Sequence, residues 1–321
     1  MRIAVFGSGA VGGYIGGRLA QAGNDVSFIA RNKHLEAIKS NGLQVQSISG
    51  DFQIKPAHAT DRPEEIGEVD IVLCCVKSWQ VSEVASQMQS LIGPKTAVIP
   101  IQNGVEAHST LASSIDATHI LPGLCKMICF VEAPGRIHHA GIDPFLSFGE
   151  IAAPVSNKAE NVAEMFSGVK GLSVNVSLNI LQELWLKFMI IAPWSGVGAL
   201  TRAPVGVFRS EVETRELLLQ SIQEVYQVAR ASHVDLAESA IQATIDFIDQ
   251  VPSQGTASMQ RDIMEGRPSE LHEQCGTVVR YGEKGGVKTP VNKFIYHSLL
   301  PLERLARGEI SFSDYQANSA S

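Results

Sequence analysis

The sequence has no excess of positive charge, no long apolar run and only a modest share of charged residues. Lysine and arginine total 26 against 33 aspartate and glutamate residues, which leaves a formal net charge of −7. This balance argues against a nucleic-acid partner, because such partners select a basic surface. No uninterrupted apolar run approaches the roughly 20 residues that span a bilayer, so we expect no membrane partner. These absences favour chemistry on a small molecule.

Cysteine is also sparse, and its five copies lack the short paired spacing of a zinc site or a redox motif. We therefore expect free thiols in a reducing compartment, and a cytoplasmic protein. An HExxH pair, a GxSxG turn and a Walker loop are missing too, so we expect no metal. The pair His138 and His139 follows a predicted turn, and we interpret it as part of a solvent-facing hairpin.

The length of 321 residues exceeds what one hydrophobic core usually serves. We predict two domains, residues 1–178 and 179–321. In the first, β-rich runs alternate with helical stretches, which predicts an α/β domain with a mostly parallel sheet. In the second, apolar residues recur at helical spacing, which predicts an all-α domain whose apolar faces could support a homodimer.

The pattern also places the individual elements. The strands predicted for the parallel sheet are Arg2–Phe6, Val26–Ala30, Asp70–Val76 and Ala97–Ile101, with Ile120–Leu121 as a weak fifth. Antiparallel strands between residues 127 and 149 are predicted to close this sheet, and a helix over 157–166 and a strand over 173–176 to complete the domain. The helices predicted for the second domain cover 211–231, 237–251 and 290–306.

A glycine-rich loop follows the first predicted strand and opens a helix. Its GxGxxG spacing provides a tight turn, a close approach of the backbone to a pyrophosphate, and close packing of helix on strand. The N-terminus of the helix adds N–H donors and a positive dipole end. The strand-loop-helix context favours a Rossmann dinucleotide site over a turn without a ligand. The predicted cofactor-binding residues of the loop are Gly7, Ser8, Gly9, Ala10, Val11 and Gly12.

Arg31 follows the second strand, at the place where an NAD enzyme carries an acid for the ribose 2′-hydroxyl. No acid follows until Glu36. An arginine here would pair with the 2′-phosphate of NADP through hydrogen bonds worth about 1.5–3 kcal/mol. Asn32 and Lys33 could assist it. The sequence thus favours NADP(H), and the alternative is a solvated surface arginine.

Polar residues follow two further strands, at the sheet edge where ligands of such folds bind. Lys77 ends one strand and could reach an anion of the cofactor or substrate. Asn103 ends the next and could hydrogen-bond the nicotinamide ribose or a substrate carboxylate. A solvated lysine and a hairpin turn at Asn103-Gly104 are the alternatives, although the helical pattern after residue 105 favours a strand-turn-helix unit.

Lys187 is the single cation of an otherwise apolar helical stretch, Glu183 to Ile191. Burial would disfavour its charged form and bring the ammonium group toward the acidity that a general acid needs. The alternative is a lysine that reaches solvent and pairs with Glu183. Composition by itself favours this alternative.

Six short motifs, in order along nearly the whole chain, resemble the ketopantoate reductase (2-dehydropantoate 2-reductase) family. They are the glycine loop, Lys77-Ser-Trp, Gln102-Asn-Gly, Glu183-Leu-Trp-x-Lys187, Ser258-Met259 with Asp262, and Glu270. The resemblance implies a Rossmann domain and a helical domain similar to that of 6-phosphogluconate dehydrogenase. It also implies that NADPH reduces a 2-oxo acid to a 2-hydroxy acid.

The resemblance also implies roles for single residues. Lys187 would be the catalytic proton donor to the ketone oxygen and would touch the substrate. Asn103 would contact nicotinamide ribose and substrate, Lys77 would lie near the cofactor, Ser258 would bind substrate, and Glu270 would bond within the cofactor site. Sequence alone offers Ser258 as an ordinary N-terminal helix residue and Glu270 as an acid at a helix dipole.

The chain departs from that family at substrate-binding positions. Family members that reduce ketopantoate usually carry asparagines one and two turns after the catalytic lysine and further on, where this chain has Ile191, Ser195, Val205 and Gly255. Each missing hydrogen bond is worth about 0.5–1.5 kcal/mol. The main hypothesis is reduction of 2-dehydropantoate to pantoate. The alternatives are a different 2-oxo or 2-hydroxy acid, and a non-catalytic protein that binds or senses NADP.

Overall fold

The computed structural model describes residues 1–151 and 157–312. Within them the chain divides into two compact units on either side of the Glu183–Leu184 bond. The first unit contains every described strand, and the described part of the second is helical. The predicted fold class, a mostly parallel α/β domain followed by an all-α domain, is confirmed. The boundary between residues 178 and 179 stays a prediction.

The strands of the first unit form two sheets. They are β1 (Arg2–Phe6), β2 (Asp25–Ile29), β3 (Leu43–Ser47), β4 (Phe52–Ile54), β5 (His58–Thr60), β6 (Val69–Cys74), β7 (Ile92–Pro100), β8 (Gly123–Ala133), β9 (Arg136–Phe148) and β10 (Ser173–Val176).

The first sheet is parallel throughout, in the order β5-β2-β1-β6-β7. Four of its strands match the four strong runs of the sequence within two residues at each end, except that β7 begins five residues earlier than predicted. Ile120–Leu121 forms no strand, and Ile120 makes only an isolated bridge to Val98. The carboxyl ends of β2, β1 and β6 lie side by side, so the residues after these strands share one edge.

The second sheet corrects one prediction. β8 and β9 are antiparallel as expected, but they do not close the first sheet. Instead β9 pairs in parallel with β3 and β10, and β4 adds to β3. β3, β4 and β5 were not predicted from the sequence. These strands are only three to five residues long. β3 and β4 pair locally, but β3 also pairs with the distant β9 and β5 with the distant β2.

The helices are shared between the two units. Those of the first are α1 (Ala10–Gln21), α2 (Asn32–Asn41), α3 (Val81–Ala85), α4 (Ala107–Ala112) and α5 (Asn157–Glu164). α6 (Ile180–Thr201) spans the division, and the second unit adds α7 (Val205–Phe208), α8 (Val212–Ala231), α9 (Ser239–Gln250), α10 (Ser258–Met264), α11 (Cys275–Gly285) and α12 (Pro290–Ala306). The three long helices predicted here are confirmed, with ends shifted by at most two residues.

α1 packs against both sheets, and its paired glycines make this possible. A Cβ at Gly16 would meet Val5 Cγ2 of the first sheet at 2.6 Å. On the other face, a Cβ at Gly13 would collide with the end of Ile137, and one at Gly17 would meet Phe52 Cε2 at 2.8 Å. One continuous core therefore includes the first sheet, α1 and the second sheet. A separate core covers the other face of the first sheet.

His139 does not face solvent, contrary to the prediction from the sequence. It is fully buried, and its Nδ1 lies 2.8 Å from the hydroxyl of Ser47. Its Nε2 lies 2.9 Å from the carbonyl of Ile142, so the ring links β9 to β3. A two-residue periodicity places it on the inner face of the second sheet, beside Tyr14 of α1. The hairpin prediction was right, but the facing of His139 was wrong.

The contact between α1 and the second sheet can be tested with Gly13→Ala and Ile137→Val in a double-mutant cycle. We expect Gly13→Ala to lower the free energy of unfolding by about 1–3 kcal/mol, because its methyl group collides with Ile137 Cδ1. Ile137→Val removes that atom, so the same substitution should cost less in its background. Urea unfolding of the four proteins measures the coupling. Additive effects would contradict the contact.

Candidate functional site

The glycine loop joins β1 to α1, and its first residue requires glycine. Gly7 has φ of +94°, and a Cβ there would lie 2.7 Å from the backbone nitrogen of Val76. The N–H groups of Gly7 and Ser8 both donate to Ile29 O, at 3.2 and 2.9 Å. The Ser8 hydroxyl donates to Val5 O at 3.1 Å. Both donors of Ser8, its backbone N–H and its hydroxyl, therefore hold the loop in place.

The space at Gly9 differs from that at the other glycines of the loop. A Cβ at Gly9 would meet no protein atom within 4 Å, whereas one at Gly12 would collide with Gly7 O and meet Cys75 Cβ at 2.9 Å. Gly9 precedes α1, so the N–H groups of Ala10, Val11 and Gly12 have no acceptor within the helix. Open space beside such donors fits the pyrophosphate of a dinucleotide.

His34 holds the same loop in place, although the sequence gives no sign of this role. Its Nδ1 accepts a hydrogen bond from the backbone N–H of Gly135 at 3.1 Å. Its Nε2, 2.8 Å from Ser8 O, is therefore the donor of the neutral ring. The ring links the glycine loop to the turn between β8 and β9. Only the three-dimensional structure shows this link, because Gly135 is 101 residues away along the chain.

Arg31 lies directly after β2 and before the first residue of α2. Its guanidinium Nη2 is 3.6 Å from Oε1 of Glu83 on α3, and both side chains are about half exposed, at 50% and 59%. The sequence shows no acid near Arg31, but the fold brings one from a distant helix. Lys33 and Asn32 are exposed beside it, as a role toward an anion requires.

The ends of β6 and β7 are tied together. The Ser78 hydroxyl donates to Asn103 O at 2.9 Å, so Lys77 and Asn103 belong to joined loops. The ammonium of Lys77 lies 5.6 Å from the centroid of the Trp79 ring. Asn103 precedes Gly104 and then α4, which confirms the strand-turn-helix unit. The structure therefore brings these two predicted residues to one place.

The side chain of Gln102 also links the ends of β7 and β6, which gives a structural role to the first residue of the Gln102-Asn-Gly motif. Its side-chain amide donates to Cys74 O at 2.8 Å and to Val76 O at 3.1 Å. Its Oε1 is buried and finds no hydrogen-bond partner among the described residues. The Gln102 side chain thus holds the end of β6, against which Gly7 packs, and leaves one acceptor unused.

In the second unit, α6 carries Lys187, Ile191 and Ser195 at intervals of four residues, on one face of the helix. Lys187 is partly exposed, between the buried neighbours Leu184 and Phe188. Ile191 is also partly exposed. Ser195 is fully buried, and its hydroxyl has no partner among the described residues. The lysine is less deeply embedded than the apolar sequence around it suggests.

α10 and α11 both pack against the second half of α6. A Cβ at Gly198 would meet the side chain of Gln260 on α10, and one at Gly196 would lie 2.9 Å from Cys275 Sγ at the start of α11. Ser258 is the first residue of α10 and is partly buried. The sequence alternative for Ser258, an N-terminal helix residue, matches its position.

Glu270 lies in the turn that precedes α11, not in the first helical turn as the dipole interpretation assumed. Its side chain is almost completely buried, and its Oε2 accepts from Gln274 Nε2 at 3.4 Å. Glu273, which the sequence analysis did not select, lies beside it. Burial, assisted by the charge of Glu270, raises the pKa of Glu273 to about 7.

Two general findings concern the described ranges 1–151 and 157–312. They contain no group of three or more histidine, cysteine or acidic residues that could hold a metal ion. One helix, α6, has the length and mean hydropathy of a membrane span, but 61% of the apolar window is buried inside the protein. Burial of this kind is typical of a core helix.

Comparison with known proteins agrees with this geometry. The family "Ketopantoate reductase PanE/ApbA" matches residues 3–153, and its C-terminal family matches residues 179–303. The chain is 28% identical to "Uncharacterized oxidoreductase YkpB" of Bacillus subtilis, over 93% of this chain and 98% of the relative.

Solved structures extend the comparison. A 2-dehydropantoate 2-reductase from Geobacter metallireducens has 30% identity and a TM-score of 0.86, over 95% of this chain and 100% of that one. A D-mandelate dehydrogenase with NADH and anilino(oxo)acetate shares the fold, with a TM-score of 0.86 at 22% identity over 96% and 99% of the chains. With the two family matches, these findings identify an oxidoreductase that acts on a CH–OH group with a nicotinamide cofactor. The chain belongs to the ketopantoate reductase family.

Proposed function

We propose that this protein uses NADPH to reduce a 2-oxo acid, with 2-dehydropantoate as the first candidate substrate and pantoate as the product. The observation that carries the proposal is Lys187. It is a partly exposed cation on a turn of α6 whose neighbours Leu184, Trp185, Phe188 and Met189 are buried. A helix turn packed in this way holds the base of the lysine side chain still and presents its ammonium group.

Reduction of a ketone needs a hydride at carbon and a proton at oxygen. The reduced nicotinamide, when bound, supplies the hydride. In our proposal the Lys187 ammonium donates the proton to the ketone oxygen and stabilises the negative charge that develops there. Glu270 bonds within this site as a buried carboxylate, and Ser258 binds the substrate.

The cofactor half of the proposal depends on the loop and on Arg31. The backbone N–H groups of Ala10, Val11 and Gly12 bind the pyrophosphate, and Arg31 binds the 2′-phosphate of NADPH. Lys77 adds positive charge near the cofactor, and Asn103 contacts the nicotinamide ribose. The open space at Gly9 and the exposed guanidinium of Arg31 support these roles.

A second candidate substrate is a 2-oxo acid with a more apolar side chain. The observation that favours it is Ile191, an isoleucine one turn after Lys187 that is partly exposed on the same face of α6. A branched apolar side chain offers no hydrogen bond to a hydroxyl-bearing substrate. Ser195 retains a hydroxyl, but it is buried.

We also propose a cytoplasmic location and a homodimer. All five cysteines are free thiols, as a reducing compartment requires. The homodimer is supported by exposed apolar side chains on the helical unit, among them Val212 and Phe294, which a second copy of the chain would bury.

Lys187→Met tests the proton donor. We expect turnover to fall by about 10²–10⁴, which is the usual contribution of a general acid, while NADPH affinity changes by less than about threefold. Lys293→Met is the matched control, because Lys293 is an exposed lysine on α12 that pairs with Glu283 at 3.3 Å. Unchanged turnover in Lys187→Met would overturn the mechanism.

Gly9→Ala tests the pyrophosphate site separately from the fold. The added methyl group meets no protein atom, so we expect the urea midpoint to stay unchanged while cofactor affinity drops by about tenfold or more. Gly12→Ala is the contrasting variant, since its methyl group collides with backbone and should lower stability. If Gly9→Ala binds cofactor normally, the pyrophosphate lies elsewhere.

Ile191→Asn tests the substrate. Loss of NADPH absorbance is followed with 2-dehydropantoate and with an aryl 2-oxo acid, in the natural protein and the variant. We expect the new amide to raise kcat/KM for 2-dehydropantoate by about 2–10-fold relative to the aryl acid, which corresponds to one hydrogen bond. An unchanged ratio would show that residue 191 does not face the substrate. Failure of the natural protein to reduce either acid would count against the proposed reaction.

A further inference from the structure

The ion pair between Arg31 and Glu83 lies at the carboxyl end of the first sheet, where the glycine loop begins. β1 pairs with β2 on one side and with β6 on the other. Arg31 follows β2, and Glu83 lies on α3, beyond the end of β6. Their side chains meet at 3.6 Å, so they meet across the carboxyl end of β1. A dinucleotide on the loop passes this edge with its adenosine half.

The pair is weak enough to open. Both side chains are about half exposed, and such pairs in water shift an equilibrium by no more than about fivefold. An anion of higher charge density can therefore take the Arg31 guanidinium from Glu83. When it does so, the Glu83 carboxylate is left close to that anion, and the two negative charges repel each other.

Glu83 also offers what the residues after β2 lack. In NAD-binding folds of this kind a carboxylate near the end of the second strand accepts a hydrogen bond from the ribose 2′-hydroxyl. Here the sequence has Arg31 at that place, and the Glu83 carboxylate lies 3.6 Å from the end of the Arg31 side chain.

We propose that Glu83 is a specificity residue for the cofactor's adenosine ribose. Its carboxylate accepts a hydrogen bond from the ribose 2′-hydroxyl of NADH. The same carboxylate repels the negatively charged 2′-phosphate of NADPH. The protein therefore binds both cofactors with a narrow preference for NADPH. The inference rests on the proposed role of Arg31 toward the 2′-phosphate.

The test is the dissociation constant of each cofactor, measured by calorimetry without substrate, in the natural protein and in Glu83→Gln. We expect NADPH to bind about 3–10-fold more tightly in the variant and NADH about 2–5-fold more weakly. Glu36→Gln is the matched control, because it removes one negative charge from an exposed position of α2. A ratio of the two constants that is unchanged in Glu83→Gln, or changed equally in Glu36→Gln, would overturn the inference.

Arg31→Met separates this inference from the proposed function. Selective loss of NADPH affinity in Arg31→Met supports the phosphate role of Arg31, and the Glu83→Gln ratio then decides the inference by itself. Equal loss of both cofactors in Arg31→Met would contradict the phosphate role. In that case weaker NADH binding in Glu83→Gln would still support the ribose contact of Glu83, and unchanged NADH binding would reject it. Thermal unfolding of each variant checks that the fold is retained.

Discussion

The fold of the first unit depends on how closely α1 approaches two sheets at once. A side chain on a helix holds the helix backbone away from the sheet it packs on, and a glycine removes that separation. Gly12 and Gly16 contact the first sheet, while Gly13 and Gly17 contact the second. The helix whose N-terminus offers N–H groups to phosphate is therefore fixed on both sides. A loss of helix propensity of about 1 kcal/mol per glycine is the cost of that placement.

This constraint explains why the glycine loop is well defined. The loop uses some of its donors on protein acceptors, through Gly7 and Ser8, and a ring from α2 holds its carbonyl at Ser8. The N–H groups at the start of α1 have no acceptor within the helix, and a Cβ at the preceding Gly9 would meet no protein atom within 4 Å. A site whose donors are already oriented loses little conformational entropy when a ligand binds. The backbone is thus the rigid part of the glycine loop, and in our proposal the charged side chains at the carboxyl end of the sheet set the cofactor preference.

Much of this architecture could be predicted from sequence, because the signals are local. Apolar runs predict the four main strands, and the glycine spacing predicts the loop that joins β1 to α1. Helical periodicity predicted α8, α9 and α12. What escaped prediction depends on residues far apart in the chain. The pairing of β3 with β9 joins residues about 92 positions apart, and Glu83 reaches Arg31 from 52 positions away along the sequence. The sequence indicates the turn before His139, but it does not show that the ring packs against Tyr14. The prediction that His139 faces solvent is therefore wrong.

In our proposal for the substrate side of the site, proton donation and substrate specificity belong to separate residues of one helix, α6. Proton donation in our proposal requires only that the Lys187 ammonium be presented by a firmly packed turn, and Leu184 and Phe188 provide the packing. Ile191 and Ser195 lie one and two turns further along the same face and take no part in proton transfer. In our proposal a change at the partly exposed Ile191 alters the affinity for the substrate by about one hydrogen bond, yet it leaves the turn that holds the lysine intact. Under this proposal, substrate preference can change through α6 while the catalytic step stays the same.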